Sequence, residues 1–346
     1  MKPLRVYILL LSLAISFHGF AQTPDFNSLV PGYTEPEDFV SWWKSEIEAM
    51  RACPATPSIA RAESKDPSVE VFSIEIPMHE GRPVRGYIGI PKNARPGSLP
   101  IYFFAHGAGS VKSDWTKASP DREVLTYARK GAISIDINAH GMLNDAPEEY
   151  YAKLDTTDLL MYQERPVRDR ETYYFRLMFL RMVRALDYVC TREEWDGKRV
   201  LVHGESQGGA QAFALAGLDN RVGAVVAIVP AMTDIGAALQ DRKCAWPFQN
   251  RPMIPISPRG RAVLPYFDGA IFLKHYNGKL YVEAGLIDKV CDAAGIAAGY
   301  NTCPSKEKQI SFYPERGHTF ITEGYQKDWE DRILSARTRF IDDYLK

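Results

Sequence analysis

Gly204-Glu205-Ser206-Gln207-Gly208 sets a serine between two glycines, directly after the apolar run Arg199 to Val202 and directly before the helical pattern Gly209 to Leu218. Strand, tight turn and helix in that order are what a serine nucleophile elbow requires. The glycines leave room where strand and helix crowd together, and the serine oxygen stands exposed at the tip. At ordinary Gly and Ser usage the five-residue pattern arises by chance in roughly one chain in ten, so its position between a strand and a helix carries the weight. A serine hydroxyl is a weak nucleophile and needs a base, and in elbows of this kind an acid and then a histidine follow along the chain, each after a later strand.

Of the seven histidines, only His318, in Glu315-Arg316-Gly317-His318-Thr319, lies beyond the elbow and after the last strand pattern. The acid should follow the strand Lys279 to Glu283, where Gly285-Leu286-Ile287-Asp288 supplies a loop carboxylate and Asp292 follows a helical turn later. Asp288 is favoured because a loop carboxylate can turn towards the imidazole and hold it in one tautomer. Two backbone N–H groups must then receive the developing oxyanion. One belongs to Gln207, directly after the nucleophile. The other is expected from Ala108, in the loop His106-Gly107-Ala108-Gly109 that closes the first central strand. That glycine-rich loop matches neither the P-loop nor the dinucleotide pattern. Acyl transfer of this kind needs no cofactor and no metal.

These groups need a scaffold, and the hydropathy pattern describes one. Phe39, Trp43, Ile47 and Met50 recur at helical spacing behind a capping-box sequence, Thr34-Glu35-Pro36-Glu37. Phe72 to Ile76 alternates, and Val84 to Ile90 is a second extended run, so an antiparallel pair opens the sheet. Beyond it, apolar runs at Ile101 to Ala105, Ala132 to Ile137, Arg199 to Val202, Val222 to Val229, Lys279 to Glu283 and Gln309 to Phe312 alternate with helical patterns at Arg122 to Lys130, Tyr173 to Cys190, Gly209 to Leu218 and Val290 to Tyr300. Continuous apolar strands between helices predict a mostly parallel α/β sheet covered on both faces. A helix from Gly324 to Leu345 closes the chain. Two stretches, 138–170 and the proline-rich 231–278, read as long loops over the active face.

Lys2 and Arg5 before the apolar run Val6 to Ile15, with Gly19-Phe20-Ala21 after it, read as a secretory signal peptide over 1–21. The run is short of the ~20 residues that span a bilayer, which argues against an N-terminal anchor and against stable membrane insertion after cleavage. Residues 22–346 then read as one domain of an exported protein, in the periplasm or outside the cell. The 346 residues carry 42 Lys+Arg against 43 Asp+Glu, and loss of Lys2 and Arg5 shifts the formal charge from −1 to −3. A near-neutral chain with no basic run has no footprint for nucleic acid. The five cysteines lack a C-x-x-C pair and imply no metal. Cys291 and Cys303 could close a short disulfide loop, or remain buried thiols.

Thr34 to Phe39 with Trp42-Trp43, Tyr173 to Arg176, Gly204 to Gly208, Tyr266 to Gly269, Gly285 to Asp288 with Cys291, Ala298 to Asn301 and Tyr313 to His318 together resemble the acetyl xylan esterase and cephalosporin-C deacetylase family, carbohydrate esterase family 7. The resemblance covers nearly all of the chain after residue 21. It implies an α/β-hydrolase fold, a Ser206, His318 and Asp288 triad, oxyanion donors at Gln207 and Ala108, and removal of acetyl groups from xylan fragments, xylo-oligosaccharides and related small esters. It also implies a hexamer, and a role for Pro230 in restricting the acyl pocket. The chain departs from the family pattern at Asn138-Ala139-His140, where Arg-Gly-Gln is usual, at Ala108, where a Tyr usually follows His-Gly, and at His318-Thr319, where His-Glu is usual. Two other readings remain: a serine hydrolase of different specificity, such as a longer-chain esterase or a peptidase, and a non-catalytic carbohydrate-binding protein using Trp115, Trp246 and Tyr266 as stacking platforms.

Overall fold

A computed structural model describes residues 25–346, so the expected signal peptide over 1–21 lies outside the described residues. Among the described residues nine strands form one sheet: β1 (Ser58–Ala62), β2 (Val69–Ile76), β3 (Val84–Pro91), β4 (Leu99–Ala105), β5 (Ile133–Ile137), β6 (Trp195–Glu205), β7 (Ala224–Ile228), β8 (Lys279–Gly285) and β9 (Lys308–Tyr313). Their spatial order is β1-β2-β3-β5-β4-β6-β7-β8-β9. The pairs β1–β2, β2–β3 and β3–β5 are antiparallel, and every later pair is parallel. The mostly parallel α/β sheet with an antiparallel start is therefore as the hydropathy pattern predicts. Strand β1 is the addition. It is an exposed edge strand, and Ser58-Ile59-Ala60-Arg61-Ala62 has no buried face to register in its pattern.

Both faces of the central strands are buried, and alternate residues go to opposite sides because side chains alternate along a strand. Ile101, Phe103, Val200, Val202, Val225, Ala227, Leu280 and Val282 join the larger core, against α1 (Phe39–Ala52), α4 (Phe175–Val189) and α5 (Gln207–Leu218). Tyr102, Leu201, Val226 and Tyr281 face the other way and pack on Ile341 and Leu345 of the C-terminal helix Ser335–Leu345. That helix is preceded by a π-helical segment, Glu330–Leu334. The remaining cover on this side comes from α2 (Glu123–Arg129), whose Val124, Leu125 and Ala128 pack on Val71 and Tyr87. In α1 the buried residues are Phe39, Trp42, Trp43, Ile47 and Met50, and Trp43 donates its indole N–H to the Tyr266 carbonyl at 2.9 Å. Each such side chain contributes roughly 1.5–3 kcal/mol by leaving water. The capping box expected at Thr34 does not cap this helix, which begins five residues later with Asp38 at its N-cap.

The two stretches expected as loops are built instead of short helical pieces. The first contains α3 (Glu148–Thr156) and a 3-10 turn, Tyr162–Glu164. The second contains Met253–Ile256, Pro258–Val263 and Gly269–Phe272, each held to a turn or two by its prolines and glycines. Asp268 orders this stretch by accepting from the N–H groups of Asp234, Ile235 and Ala270 at 2.7–2.9 Å. All five cysteines are free. Of the two readings left open for Cys291 and Cys303, the structure has the buried thiols, because the helix Ala293–Thr302 runs between them. Ten helical residues span about 15 Å, well beyond the ~7 Å limit between the Cα atoms of a disulfide.

Chain order reverses at β4, which has β5 on one side and β6 on the other. The crevice beyond the carboxyl ends of strands at such a reversal is where α/β sheets bind ligands. Here Ala105 pairs with Gly204, so the loop after β4 and the turn after β6 leave the sheet side by side.

Candidate active site

Ser206 occupies the turn between β6 and α5 with φ +54° and ψ −118°, a conformation that an L-residue adopts only under strain. Its N–H donates to the Ile228 carbonyl at 2.8 Å, and its carbonyl accepts from Ala231 N–H at 2.9 Å, so β7 holds the turn from beneath. The flanking glycines are dictated by contact. A Cβ on Gly204 would lie 2.0 Å from the Gly208 carbonyl oxygen, and one on Gly208 would lie 1.9 Å from the Ala105 carbonyl oxygen. The small residues of α5 thus bring the helix start against β4 and lift the serine oxygen above the sheet edge.

Two later strand ends bring the other sequence-expected groups to it. His318 Nε2 is 2.9 Å from Ser206 Oγ, and His318 Nδ1 is 2.8 Å from Asp288 Oδ2. A carboxylate can only accept, so Nδ1 carries the proton and Nε2 is free to take one from the serine. Asp288 is buried, and its other oxygen accepts from Val290 and Cys291 N–H at 2.7 and 2.9 Å. The carboxylate is therefore locked in direction as well as place. His318 stands at the tip of a short hairpin closed by Arg316 pairing with Ile321, Gly317 N–H to the Phe320 carbonyl at 3.0 Å and Thr322 N–H to the Glu315 carbonyl at 2.8 Å. Asp292, the alternative acid, is instead the N-cap of the following helix and accepts from Ala294 N–H at 3.0 Å.

Gln207 opens α5, where the first amides of a helix have no intrahelical acceptor. Ala108 N–H has no acceptor among the described residues either. The loop that carries it is fixed by His106, which is buried and whose Nδ1 is 2.9 Å from the Gly107 carbonyl oxygen while its Nε2 accepts from Ala139 N–H at 3.0 Å. Burial pushes the His106 imidazole down to about 4, which keeps it neutral. Gln211, one turn along α5, reaches the carbonyls of both His106 and Gln207 at 3.4 and 3.5 Å and so ties the two donor segments together.

Beside Ala108 lies an opening of about 390 Å³ lined by Ala108, Ser110, Asp155, Met161, Tyr162 and Trp246 among others. The hydropathy pattern gave no sign of Tyr162, yet its buried hydroxyl donates to Gln207 Oε1 at 2.5 Å. Asp155 of α3 was likewise missed. It accepts from Val111 N–H at 3.0 Å and from the Ser110 hydroxyl, and so fastens α3 to the loop after β4. No local sequence signal marks either residue, since their partners lie more than forty positions away. Pro230 is buried under α5, where a Cβ on Gly209 would lie 2.8 Å from it, and it is not among the residues lining the opening. Of the three proposed stacking aromatics, Tyr266 is buried against Trp42 and has no free face. Trp115 is 54% exposed and lies over Gly109, and Trp246 lines the opening.

A strained serine within hydrogen-bond reach of an oriented imidazole, beside two free amides, is equipped for acyl transfer. The family model for acetyl xylan esterases matches residues 25–336. The chain belongs to the acetyl xylan esterase family. It is accordingly a carboxylic ester hydrolase. Among curated relatives, the acetyl esterase Axe7A of Xylanibacter ruminicola is 30% identical over 307 residues, covering 87% of this chain and 68% of that protein. Among solved structures, an acetyl xylan esterase from a Paenibacillus species superposes with TM-score 0.73 at 23% identity, covering 93% of this chain and all of that one. Acetyl xylan esterase 1 from a Thermoanaerobacterium species gives 0.70 at 22%, covering 94% and 99%. These two establish the α/β fold.

Within this acetyl xylan esterase framework the Asn138-Ala139-His140 segment has its own bonding. Asn138 accepts from Ala118 N–H at 2.8 Å and donates to Asn144 Oδ1 at 2.8 Å. Ala139 supplies the N–H that His106 accepts. The buried His140 ring bonds the Tyr174 hydroxyl at 2.8 Å through Nδ1 and meets the Tyr162 ring edge-on at 4.5 Å. Burial holds its pKa well below the usual imidazole value, so it packs as a neutral ring.

Proposed function

We propose that the chain removes acetyl groups from acetylated xylan fragments, xylo-oligosaccharides and related small acetyl esters, with Ser206 as nucleophile, His318 as general base and acid, and Asp288 as the carboxylate that orients it. The observation that carries this reading is the continuous line from Ser206 Oγ to His318 Nε2 at 2.9 Å and from His318 Nδ1 to Asp288 Oδ2 at 2.8 Å. The relatives named above, an acetyl esterase and two acetyl xylan esterases, support the substrate class.

In the first half-reaction Ser206 Oγ attacks the acetyl carbonyl carbon as His318 Nε2 takes its proton, and the tetrahedral oxyanion is received by the amides of Gln207 and Ala108. Each such donor contributes about 2.7–4 kcal/mol to the transition state in enzymes of this type. The intermediate collapses with cleavage of the bond to the sugar oxygen, and His318 returns the proton to that oxygen as the alcohol leaves. Water, deprotonated by His318, then attacks the acetyl-serine, and collapse releases acetate and restores the Ser206 hydroxyl. Asp288 stabilises the imidazolium formed in both halves.

The opening beside Ala108, with Trp246 in its wall and Trp115 at its rim, would receive the sugar. The limit on acyl length that the family resemblance assigns to Pro230 is carried by that resemblance alone, since Pro230 lies buried under α5 and outside the opening. The chain is read as a single hydrolase unit over 22–346, exported by the signal peptide 1–21. Incubating the purified protein with acetylated xylo-oligosaccharides and weighing the sugars by mass spectrometry tests the reading. Loss of acetyl mass units at a rate above that on butyryl and octanoyl esters is expected, and faster cleavage of the longer esters would overturn it.

A further inference from the structure

Outside the triad, one arginine touches all three segments that carry it. Arg316 lies at the base of the His318 hairpin, with its side chain 8% exposed. Its Nη2 is 3.4 Å from Oε1 of Glu205, the residue before Ser206. Its Nη1 is 3.6 Å from Oε2 of Glu283, on the strand that leads to Asp288. Its carbonyl accepts from the N–H of Ile287, the residue before Asp288, at 3.2 Å. The approach is close enough that a Cβ on Gly285 would fall 2.3 Å from that carbonyl oxygen.

The surroundings leave Arg316 little freedom. Its guanidinium lies 5.5 Å over the Trp329 ring, which Arg337 also meets at 5.7 Å. Arg337 Nε stands 3.5 Å from the other oxygen of Glu283, whose side chain is 1% exposed. Neither Glu283 oxygen accepts a hydrogen bond among the described residues, so the two arginines hold it by charge. Burial pushes the Glu283 carboxyl up, and the two guanidinium groups pull it back down. In a dry interior such an attraction is strong and breaking it is costly.

We infer that Arg316 is a positioning residue that clamps the nucleophile turn, the acid strand and the histidine hairpin together and so keeps His318 Nε2 within reach of Ser206 Oγ. The inference rests on the triad reading above. It assigns to ion pairing the register that a loop tip could not hold by itself, because a displacement of ~1 Å at the reacting atoms can cost about a hundredfold in rate.

The test compares Arg316→Met, Arg316→Lys and the double variant Arg316→Met with Glu283→Gln, by kcat and KM on p-nitrophenyl acetate, by the rate at which a fluorophosphonate labels Ser206, and by Tm. Arg316→Met should lower kcat and the labelling rate at least about tenfold while KM stays within about twofold, the split expected when alignment rather than binding is lost. Arg316→Lys should recover part of that loss. The double variant no longer buries a carboxylate that has lost one of its two guanidinium partners, so it should regain part of the Tm but not kcat, and it carries the test if the single variant fails to fold. A double variant with wild-type kcat, or Arg316→Met within twofold of wild type in both rates, would overturn the inference. Wild-type protein that the fluorophosphonate does not label at Ser206 would instead overturn the triad reading on which it rests.

Discussion

His106 accepts the Ala139 N–H at its Nε2 across 3.0 Å, and the tautomer of the ring follows from that bond. Because Nε2 is the acceptor, Nδ1 must carry the proton, and it donates to the Gly107 carbonyl at 2.9 Å. In a trans peptide the carbonyl and the next N–H point in opposite directions. Holding the Gly107 carbonyl against the buried ring therefore turns the Ala108 N–H away from it. A residue on β5's exit loop thus sets, through one neutral histidine, the direction of an amide on β4's exit loop.

That neutral state makes stability depend on pH in a definite sense. Burial lowers His106 to about 4 and His203 to about 3, and it pushes His140 down as well. The unfolded chain, with ordinary values near 6.5, takes up these protons first. The stability from keeping the rings neutral is therefore fully present above about pH 6.5 and is lost as pH falls towards 4 and 3. His203→Phe should flatten the dependence of unfolding free energy on pH in that window by about one proton, or about 1.4 kcal/mol per pH unit. Urea denaturation at intervals between pH 7 and pH 4.5 measures it, and an unchanged slope would refute the prediction.

Ser206→Ala should leave Tm close to wild type and reduce kcat on a small acetyl ester by on the order of 10⁶-fold, as loss of a serine nucleophile does elsewhere. Asp288→Asn keeps the shape but cannot hold the reactive tautomer, and a drop of about 10⁴-fold is expected. Steady-state assays with a thermal melt of each variant decide both. Substantial turnover by Ser206→Ala would remove the serine from its assigned role.

Tyr162→Phe deletes the donor to Gln207 Oε1, in a side chain that is fully buried and whose Nε2 already lacks a partner among the described residues. Leaving a buried acceptor unsatisfied should cost about 1–3 kcal/mol of stability. Because α5 still holds the Gln207 backbone, kcat should fall by less than about tenfold. Urea denaturation alongside the acetyl ester assay checks both, and an unaltered midpoint would count against the bond.

Gly208→Ala introduces a Cβ 1.9 Å from the Ala105 carbonyl oxygen, a backbone atom that cannot swing aside. Strand β4 and helix α5 must separate, at about 1–3 kcal/mol or more. The same movement parts Ala108 from Ser206, so kcat should fall further than the stability loss alone implies. Denaturation and kcat measured on the same preparation test this, and full activity would show that the sheet yields without moving the donors.

A candidate chemistry and most of the scaffold were legible in the chain. Gly204 to Gly208 between an apolar run and a helical one, Asp288 after the next-to-last strand and His318 after the last are local patterns, and local sterics and periodicity write them into the chain. The same holds for β4 to β8, whose apolar runs follow from burial on both faces, while the edge strand β9 is only partly buried and shows as the shorter run Gln309 to Phe312. Strand β1 escaped because an exposed edge strand needs no apolar face. The disulfide question turned on a helix lying between two cysteines twelve positions apart. Tyr162 beside Gln207, His106 beside Ala139 and Arg316 between Glu205 and Glu283 emerge only once the chain is folded. Each joins residues 33 to 111 positions apart. Hydrogen bonds and ion pairs across such distances leave no trace in periodicity, since only the folded sheet brings the partners within reach.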